Sequence, residues 1–206
     1  MESLVSILGR RKKLIIGIAI VGAVLTGAGA YVLEPLKYSA TVRLLITQRA
    51  SFTLDPYTAV RSTELIGQNL AQLVQTSSFL DRVLLTGYGV NQQYFALPER
   101  DRRKLWTKTI EAAQGRGTGL LEITAYHPNT EEAKKIATAT AFILSTQGSE
   151  YIGRDINVRL VDPPLVSRYP VKPNLPLDIL TGAFVGAVVA SLGVLMKHSR
   201  RRQHTQ

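Results

Sequence analysis

Two apolar stretches decide the architecture of this chain: LIIGIAIVGAVLTGAGAYVL at Leu14–Leu33 and LDILTGAFVGAVVASLGVLM at Leu177–Met196. Each has 20 residues. At a rise of about 1.5 Å per residue, that length matches the roughly 30 Å apolar core of a bilayer. The first stretch has no charged residue, and the second has only Asp178, near its start, where a carboxylate suits the dipole of a helix. The sequence therefore predicts two transmembrane helices.

Cationic residues flank both stretches on the side of the chain terminus. Arg10–Lys13 (RRKK) precede the first stretch, and four cations follow the second: Lys197, Arg200, Arg201 and Arg202. Because cationic flanks stay on the cytoplasmic side, the pattern predicts that the N-terminal segment 1–13 and the tail 197–206 are both cytoplasmic. Residues 34–176 would then form one domain on the outer side. An alternative is a cleaved signal peptide, since Ala28-Gly29-Ala30 resembles a signal-peptidase site.

Composition narrows the choice of partners. The chain has 206 residues and a formal net charge of +10, but eight of its 25 basic residues belong to the two membrane flanks. The excess is mostly a topology signal, so we expect the lipid bilayer and not nucleic acid as the partner of these cations. There is no cysteine, which excludes disulfides, thiolate catalysis and cysteine-ligated zinc.

The outer segment predicts a small α+β domain. A β-branched run at Tyr38–Ile46 predicts a first strand, and a stripe of apolar residues after Pro56 predicts one long helix that ends at Gly87. Residues 109–114 and 119–126 flank a glycine-rich turn, which predicts a hairpin. Asn129 and Glu132 are typical of a helix N-cap with a returning carboxylate, and this helix would run to about Glu150. A short strand at 157–161 follows. The order strand, helix, strand, strand, helix, strand predicts a ferredoxin-like (βαββαβ) fold.

Pro170, Pro173 and Pro176, at a spacing of three, end the outer segment. Proline fixes φ and lacks an N–H donor, so the stretch predicts an extended, stiff strut between the domain and the second helix. A PxxP segment is also a common ligand of small recognition domains, but this one adjoins a membrane helix.

Several pieces of the chain resemble the chain-length determinant (Wzz-type) family of polysaccharide co-polymerases, which includes transmembrane modulators of capsule tyrosine kinases. The basic N-terminus enters the first helix, and PLKYSA at 35–40 resembles the family's proline-x-x-tyrosine-x-alanine. TGLLEI at 118–123 resembles its central segment. The triple proline, followed by a second helix with Gly182 and Gly186, resembles its C-terminal signature.

The resemblance implies a non-catalytic homo-oligomer in the bacterial cytoplasmic (inner) membrane that regulates the length of a capsule, exopolysaccharide or O-antigen. Its partner would be a membrane polysaccharide polymerase or export machinery. The alternative is an adaptor that activates a separate cytoplasmic tyrosine kinase. The short outer segment favours the small capsule-type members. The tail KHSRRRQHTQ has no tyrosine cluster, which argues against direct kinase activation by this tail. The chain has no GxxxxGK[ST] loop, so we expect no fused kinase domain.

The sequence predicts no catalytic, cofactor or metal site. His127 stands before a proline at a strand end, which is typical of a surface turn, and the acids are scattered. One basic segment remains in the outer domain. It could be a solvated face of a helix or loop, or it could contact a neighbouring subunit or an anionic glycan. It comprises Arg100, Arg102, Arg103 and Lys104.

Gly182 and Gly186, continued by Ala190, place small residues on one side of the second membrane helix. This spacing allows close helix packing in lipid. Gly22 and Gly29 in the first helix are candidates for the same role. The sequence leaves open whether such packing occurs within one chain or between subunits.

Overall fold

A computed structural model describes residues 11–48, 56–152 and 156–203 of the chain. The fold divides into two compact units. The first, called the helix pair below, is built from Met1–Leu36 and Lys172–Gln206, and the second, the α/β domain, is Lys37–Val171.

The described elements follow one another as α1 (Lys12–Leu33), β1 (Tyr38–Gln48), α2 (Pro56–Val74), α3 (Ser77–Leu85), a 3-10 helix (Gln92–Phe95), α4 (Glu99–Thr109), β2 (Ile110–Gln114), β3 (Leu120–His127), α5 (Thr130–Ile152), β4 (Ile156–Val166) and α6 (Leu175–Gln203).

The helix pair consists of α1 and α6. Residues Lys12–Val32 and Leu175–Met196 form helices that are long and apolar enough to cross a membrane. Large apolar side chains point away from the chain, with Leu25 68% exposed and Phe184 71% exposed. A core helix of a water-soluble domain would bury such side chains, so an apolar phase is the better surrounding for this unit. The two predicted apolar helices are therefore present, each beginning two residues before the predicted start.

The α/β domain contains a four-stranded sheet in the order β2-β3-β1-β4, and all three pairs of neighbours are antiparallel. Val42 lies opposite Ile123, and Leu44 opposite Leu121, in the register of β1 with β3. All four side chains are fully buried, because alternation along each strand sends them to the same face. The hairpin between β2 and β3 is present as predicted, with Gly117 at a φ of +66° in its turn.

Helix α5 covers this apolar face with Ala133, Ile136 and Ala137, which are buried in the core. Its first turn is capped by Asn129, whose Oδ1 accepts hydrogen bonds from the backbone N–H of Glu131 at 2.8 Å and of Glu132 at 3.4 Å. The predicted cap is therefore confirmed. The Glu132 carboxylate was predicted to accept a hydrogen bond from the backbone N–H of Asn129. This prediction is wrong, because the carboxylate accepts from the N–H of Asn91 and from Lys135 instead.

The connection between β1 and β2 differs most from the prediction. The expected long helix is broken at Gln75–Thr76 into α2 and α3, and the Thr76 hydroxyl accepts from the N–H of Phe79 to start the second helix. The basic segment lies wholly within α4, which carries Glu99 and Asp101 in its first turn. Trp106 of α4 is fully buried and donates from its indole nitrogen to the carbonyl oxygen of Val74 at 2.8 Å. Tertiary burial of this tryptophan holds α4 on the core.

β4 is longer than predicted and continues through Pro163 and Pro164 to Val166. Proline is tolerated there because β4 is an edge strand, where one side has no ladder to complete. The residues that follow β4 are hydrogen-bonded to the start of β1, so the first and last residues of the domain lie side by side. The N–H of Ser167 donates to the carbonyl of Ser39, and the N–H of Val171 donates to that of Lys37, both at 2.8 Å.

Candidate functional site

The glycines of α6 lie against the backbone of α1. A Cβ atom added at Gly186 would lie 2.8 Å from the carbonyl oxygen of Ile18 and 3.0 Å from the Cα of Ala19. One added at Gly22 would lie 2.5 Å from the carbonyl oxygen of Gly182. Real Cβ atoms do not approach so closely, so glycine is required at these positions for the observed helix separation.

A short polar contact accompanies this packing. The Thr26 hydroxyl lies 3.0 Å from the carbonyl oxygen of Asp178 on the opposite helix and 2.9 Å from that of Gly22 on its own helix. Buried residues recur every four positions along α6, the spacing of one helix face. They are Gly182, Gly186, Ala190 and Val194. The structure thus places Gly182, Gly186 and Gly22 in packing within one chain, whereas a Cβ at Gly29 would meet no described atom within 4 Å.

The three prolines do not form one continuous strut. Pro170 and Pro173 precede α6, and the Lys172–Pro173 peptide bond is cis. Pro176 lies in the first turn of α6, where its missing N–H leaves no helical hydrogen bond unmade. The carbonyl of Pro173 accepts from the N–H of Leu175 at 3.0 Å, which is a turn and not an extended segment. The predicted extended strut through Pro176 is therefore wrong.

The basic segment is largely paired within its own domain. Arg102 bonds Asp81 and lies 3.5 Å from Glu99, Arg103 lies 3.8 Å from Glu99, and Lys104 lies 3.9 Å from Asp101. No ion pair involves Arg100 among the residues that the structure describes. Since exposed pairs of this kind contribute little energy, the arrangement is that of a solvated helix face whose charges are partly neutralised.

His127 is buried, with 6% of its surface exposed, so the predicted surface turn is wrong. Its Nδ1 accepts from the N–H of Asn129 at 3.0 Å, and its ring contacts Tyr94 with centroids 4.3 Å apart. The Nε2 atom has no hydrogen-bond partner within the described ranges. Burial lowers the pKa of His127, against the opposing effects of the Asn129 carbonyl oxygen, 3.3 Å from Nδ1, and of nearby Glu132. A neutral ring that packs as a core residue is the result.

The second face of the sheet is polar and was missed by the sequence argument. Arg43 on β1 lies 2.8 Å from Glu122 on β3 and 3.6 Å from Asp162 on β4. These side chains line a shallow concavity of about 540 Å³. Beside it, Tyr126 donates to Glu111 at 2.9 Å, and burial together with this carboxylate raises the pKa of Tyr126 to about 12. Alternation along β1 was the signal that could have found this face.

The chemistry available in these places is limited. On the open sheet face, the carboxylates of Glu122 and Asp162 pair with Arg43, and the carboxylate of Glu111 accepts a hydrogen bond from Tyr126. No group of three or more possible metal ligands occurs in the part of the chain that the structure describes.

No protein-family model and no curated protein matches this chain. What the chain does must therefore be argued from its own residues.

Proposed function

We propose that the chain is a non-catalytic scaffold of the bacterial cytoplasmic membrane that regulates the length and export of a surface polysaccharide as a homo-oligomer. The observation that carries the proposal is that two apolar helices, which flank one α/β domain in the sequence, pack against each other in one unit. The resemblance of residues 35–40, 118–123 and 170–186 to chain-length determinants supports the substrate class. The proposed partners are a membrane polysaccharide polymerase or export machinery, and no nucleic acid, metal or cofactor takes part.

The proposed topology places both termini in the cytoplasm and the α/β domain outside. Its support is the asymmetry of charge along the helix pair. Cations cluster around the start of α1 and at the end of α6, whereas Glu34 and Asp178 lie near the other ends of these helices. This distribution follows the positive-inside rule.

We also propose that the α/β domain is ferredoxin-like. The supporting fact is the strand order, which places β1 between β3 and β4 and puts β2 at the far edge. An order of this kind is expected when two β-α-β units interlock, each with a strand of the other between its own two. The departure from that fold is the connection from β1 to β2, which holds α2, α3 and α4 where the simplest version has one helix.

The decisive experiment is removal of the gene followed by sizing of surface and secreted polysaccharide on gels. We expect a changed length distribution with synthesis continuing, and wild-type chain should restore the original profile. A chain with Gly182→Leu and Gly186→Leu should fail to restore it, because both positions lack room for a side chain. The matched control is Gly193→Leu, since nothing lies within 4 Å of a Cβ there. An unchanged profile in the deletion strain would overturn the proposal.

A second candidate function is that of an adaptor for a separate cytoplasmic tyrosine kinase. The observation that favours it is that α6 continues as a helix beyond the apolar stretch to Gln203, so the basic tail extends from the membrane end as a helix. Truncation after Met196 tests this function. Loss of a co-purifying kinase, together with complete loss of polymer instead of altered length, would favour the adaptor over the length regulator.

A further inference from the structure

The helix pair is antiparallel and aligned so that its two cationic ends meet. A Cβ at Gly27 would lie 2.9 Å from the side chain of Ile179, and one at Gly186 would lie 2.8 Å from the carbonyl of Ile18. Residue numbers therefore fall along α1 while they rise along α6. Ala19 and Gly186 are in contact, so distances along both helices can be measured from them. Lys12 is seven residues from Ala19 and Val194 is eight residues from Gly186, which are nearly equal lengths of about 10–12 Å. Lys12 and Val194 therefore lie at about the same level of the helix pair. Val194 is 7% exposed, so the contact between the helices reaches this level.

Seven cations lie at or beyond this level, and no acidic residue occurs in 11–33 or in 179–203 to neutralise them. Three come from the start of α1 and its preceding residue, and four from the end of α6. They are Arg11, Lys12, Lys13, Lys197, Arg200, Arg201 and Arg202. From the level of Val194 to Arg202 the backbone of α6 extends over roughly 12 Å.

From this convergence we infer that the cationic end of the helix pair is a binding site for an anionic lipid with two phosphates, of the diphosphatidylglycerol (cardiolipin) class. The inference rests on the membrane-spanning part of the proposed function. A single helix end would attract any anionic headgroup, whereas two adjoining cationic ends offer separate donors to two phosphates held on one glycerol. The second phosphate then binds at high effective concentration, which favours the two-phosphate lipid over single-phosphate lipids.

The test uses the full chain purified in detergent, with lipid adducts counted by native mass spectrometry. We expect a one-to-one cardiolipin adduct that outcompetes phosphatidylglycerol supplied at equal phosphate concentration, and no adduct with phosphatidylcholine. Inorganic pyrophosphate should not displace the lipid. Equal retention of phosphatidylglycerol would overturn the inference, and displacement by pyrophosphate would show a soluble anion site instead and would overturn it as well.

The matched variants remove four charges each. In one, Lys197, Arg200, Arg201 and Arg202 are changed to Gln. In the other, Arg100, Arg103, Lys104 and Lys108 of α4 are changed to Gln, and far-UV circular dichroism checks the fold of both. Since each cation near a membrane surface contributes on the order of fivefold in affinity, we expect the first variant to bind cardiolipin at least about tenfold more weakly and the second to bind as wild type. Equal loss in both variants, or in neither, would overturn the site.

The same variants separate this inference from the proposed function, because adduct counting on purified chain needs no polysaccharide. Weakened lipid binding with normal polymer length supports the lipid site whatever the chain regulates. If the tail variant keeps cardiolipin but loses a co-purifying cytoplasmic kinase, the cations serve that protein, and the lipid site is overturned.

Discussion

The helix pair and the α/β domain bury opposite kinds of side chain. In the helix pair the buried positions hold Gly182, Gly186 and Ala190, and large groups such as Phe184 lie outside. In the α/β domain Trp106 and other large apolar side chains are fully buried, and the charged residues are at the surface. One chain thus follows two rules of packing in its two units.

The solvent explains the difference. In water, burial of apolar area drives folding, so the largest apolar side chains contribute most when they are inside. Lipid tails are as apolar as leucine, so a membrane helix gains little by hiding large side chains and more by close approach of backbones at small residues. Four substitutions, taken from the largest expected effect to the smallest, test this contrast.

Trp106→Ala should cause the largest loss, about 3–5 kcal/mol of the free energy of unfolding of the α/β domain. It removes a fully buried indole and leaves the carbonyl of Val74 without its donor. Denaturant unfolding in detergent, followed by far-UV circular dichroism, measures the change. Leu85→Ala is the control, since Leu85 is 83% exposed and should change stability by less than about 0.5 kcal/mol. Equal effects at both positions would contradict burial of Trp106.

Gly186→Leu should destabilise the helix pair by about 1–3 kcal/mol, although adding a large apolar side chain would be harmless on a lipid-facing surface. The α/β domain should keep its stability. Because the chain has no native cysteine, a short thiol crosslinker between Lys12→Cys and Met196→Cys reports helix contact. Crosslinking should fall in Gly186→Leu and persist in Gly193→Leu. If Gly193→Leu disrupts crosslinking just as strongly, the assignment of the packed face is wrong.

His127 should make the α/β domain less stable in mild acid. Burial lowers its pKa below the ordinary value of 6.5, so the unfolded chain binds a proton more readily than the folded one. The stabilising contribution is present above about pH 6.5 and is lost as the pH falls below it, with a slope of at most about 1.4 kcal/mol per pH unit.

Unfolding free energies of wild type and His127→Gln, measured from pH 7.5 down to 5.5, test this prediction. The variant should show a flatter profile in that range. Glu132, whose burial is outweighed by its bonds to Lys135 and Asn91, has a lowered pKa and contributes pH dependence only below about 4.5. An identical slope in wild type and variant would show that another group titrates.

Arg102→Gln should have the smallest effect, about 0.2–1 kcal/mol, because its ion pairs with Asp81 and Glu99 lie near the surface. Arg100→Gln, without such a pair among the described residues, is the control and should be neutral. A double-mutant cycle with Asp81→Asn isolates the pair. A coupling energy near zero would mean that the pairing contributes only to the charge balance of α4.

Much of the fold was predictable because its signals are local. The length of each apolar stretch predicts α1 and α6, alternation predicts β1 and β3, and Asn129 predicts the start of α5. Each of these signals acts over about one turn of helix or a few strand residues. The break between α2 and α3 was missed because the apolar stripe continues across Gln75 and Thr76 and hides the second cap.

The sequence by itself determined where the two apolar helices lie, which residues alternate in the sheet, and that cations collect at the chain ends. The tertiary structure alone decided that Gly22 packs on Gly182, that His127 is buried, that Arg102 of α4 pairs with Asp81 of α3 and that Pro176 lies in the first turn of a helix. These outcomes depend mostly on partners distant in sequence: Thr26 meets Asp178 across 152 positions. Periodicity determines which face of an element is apolar, whereas the partner of that face is chosen by the packing of the whole chain.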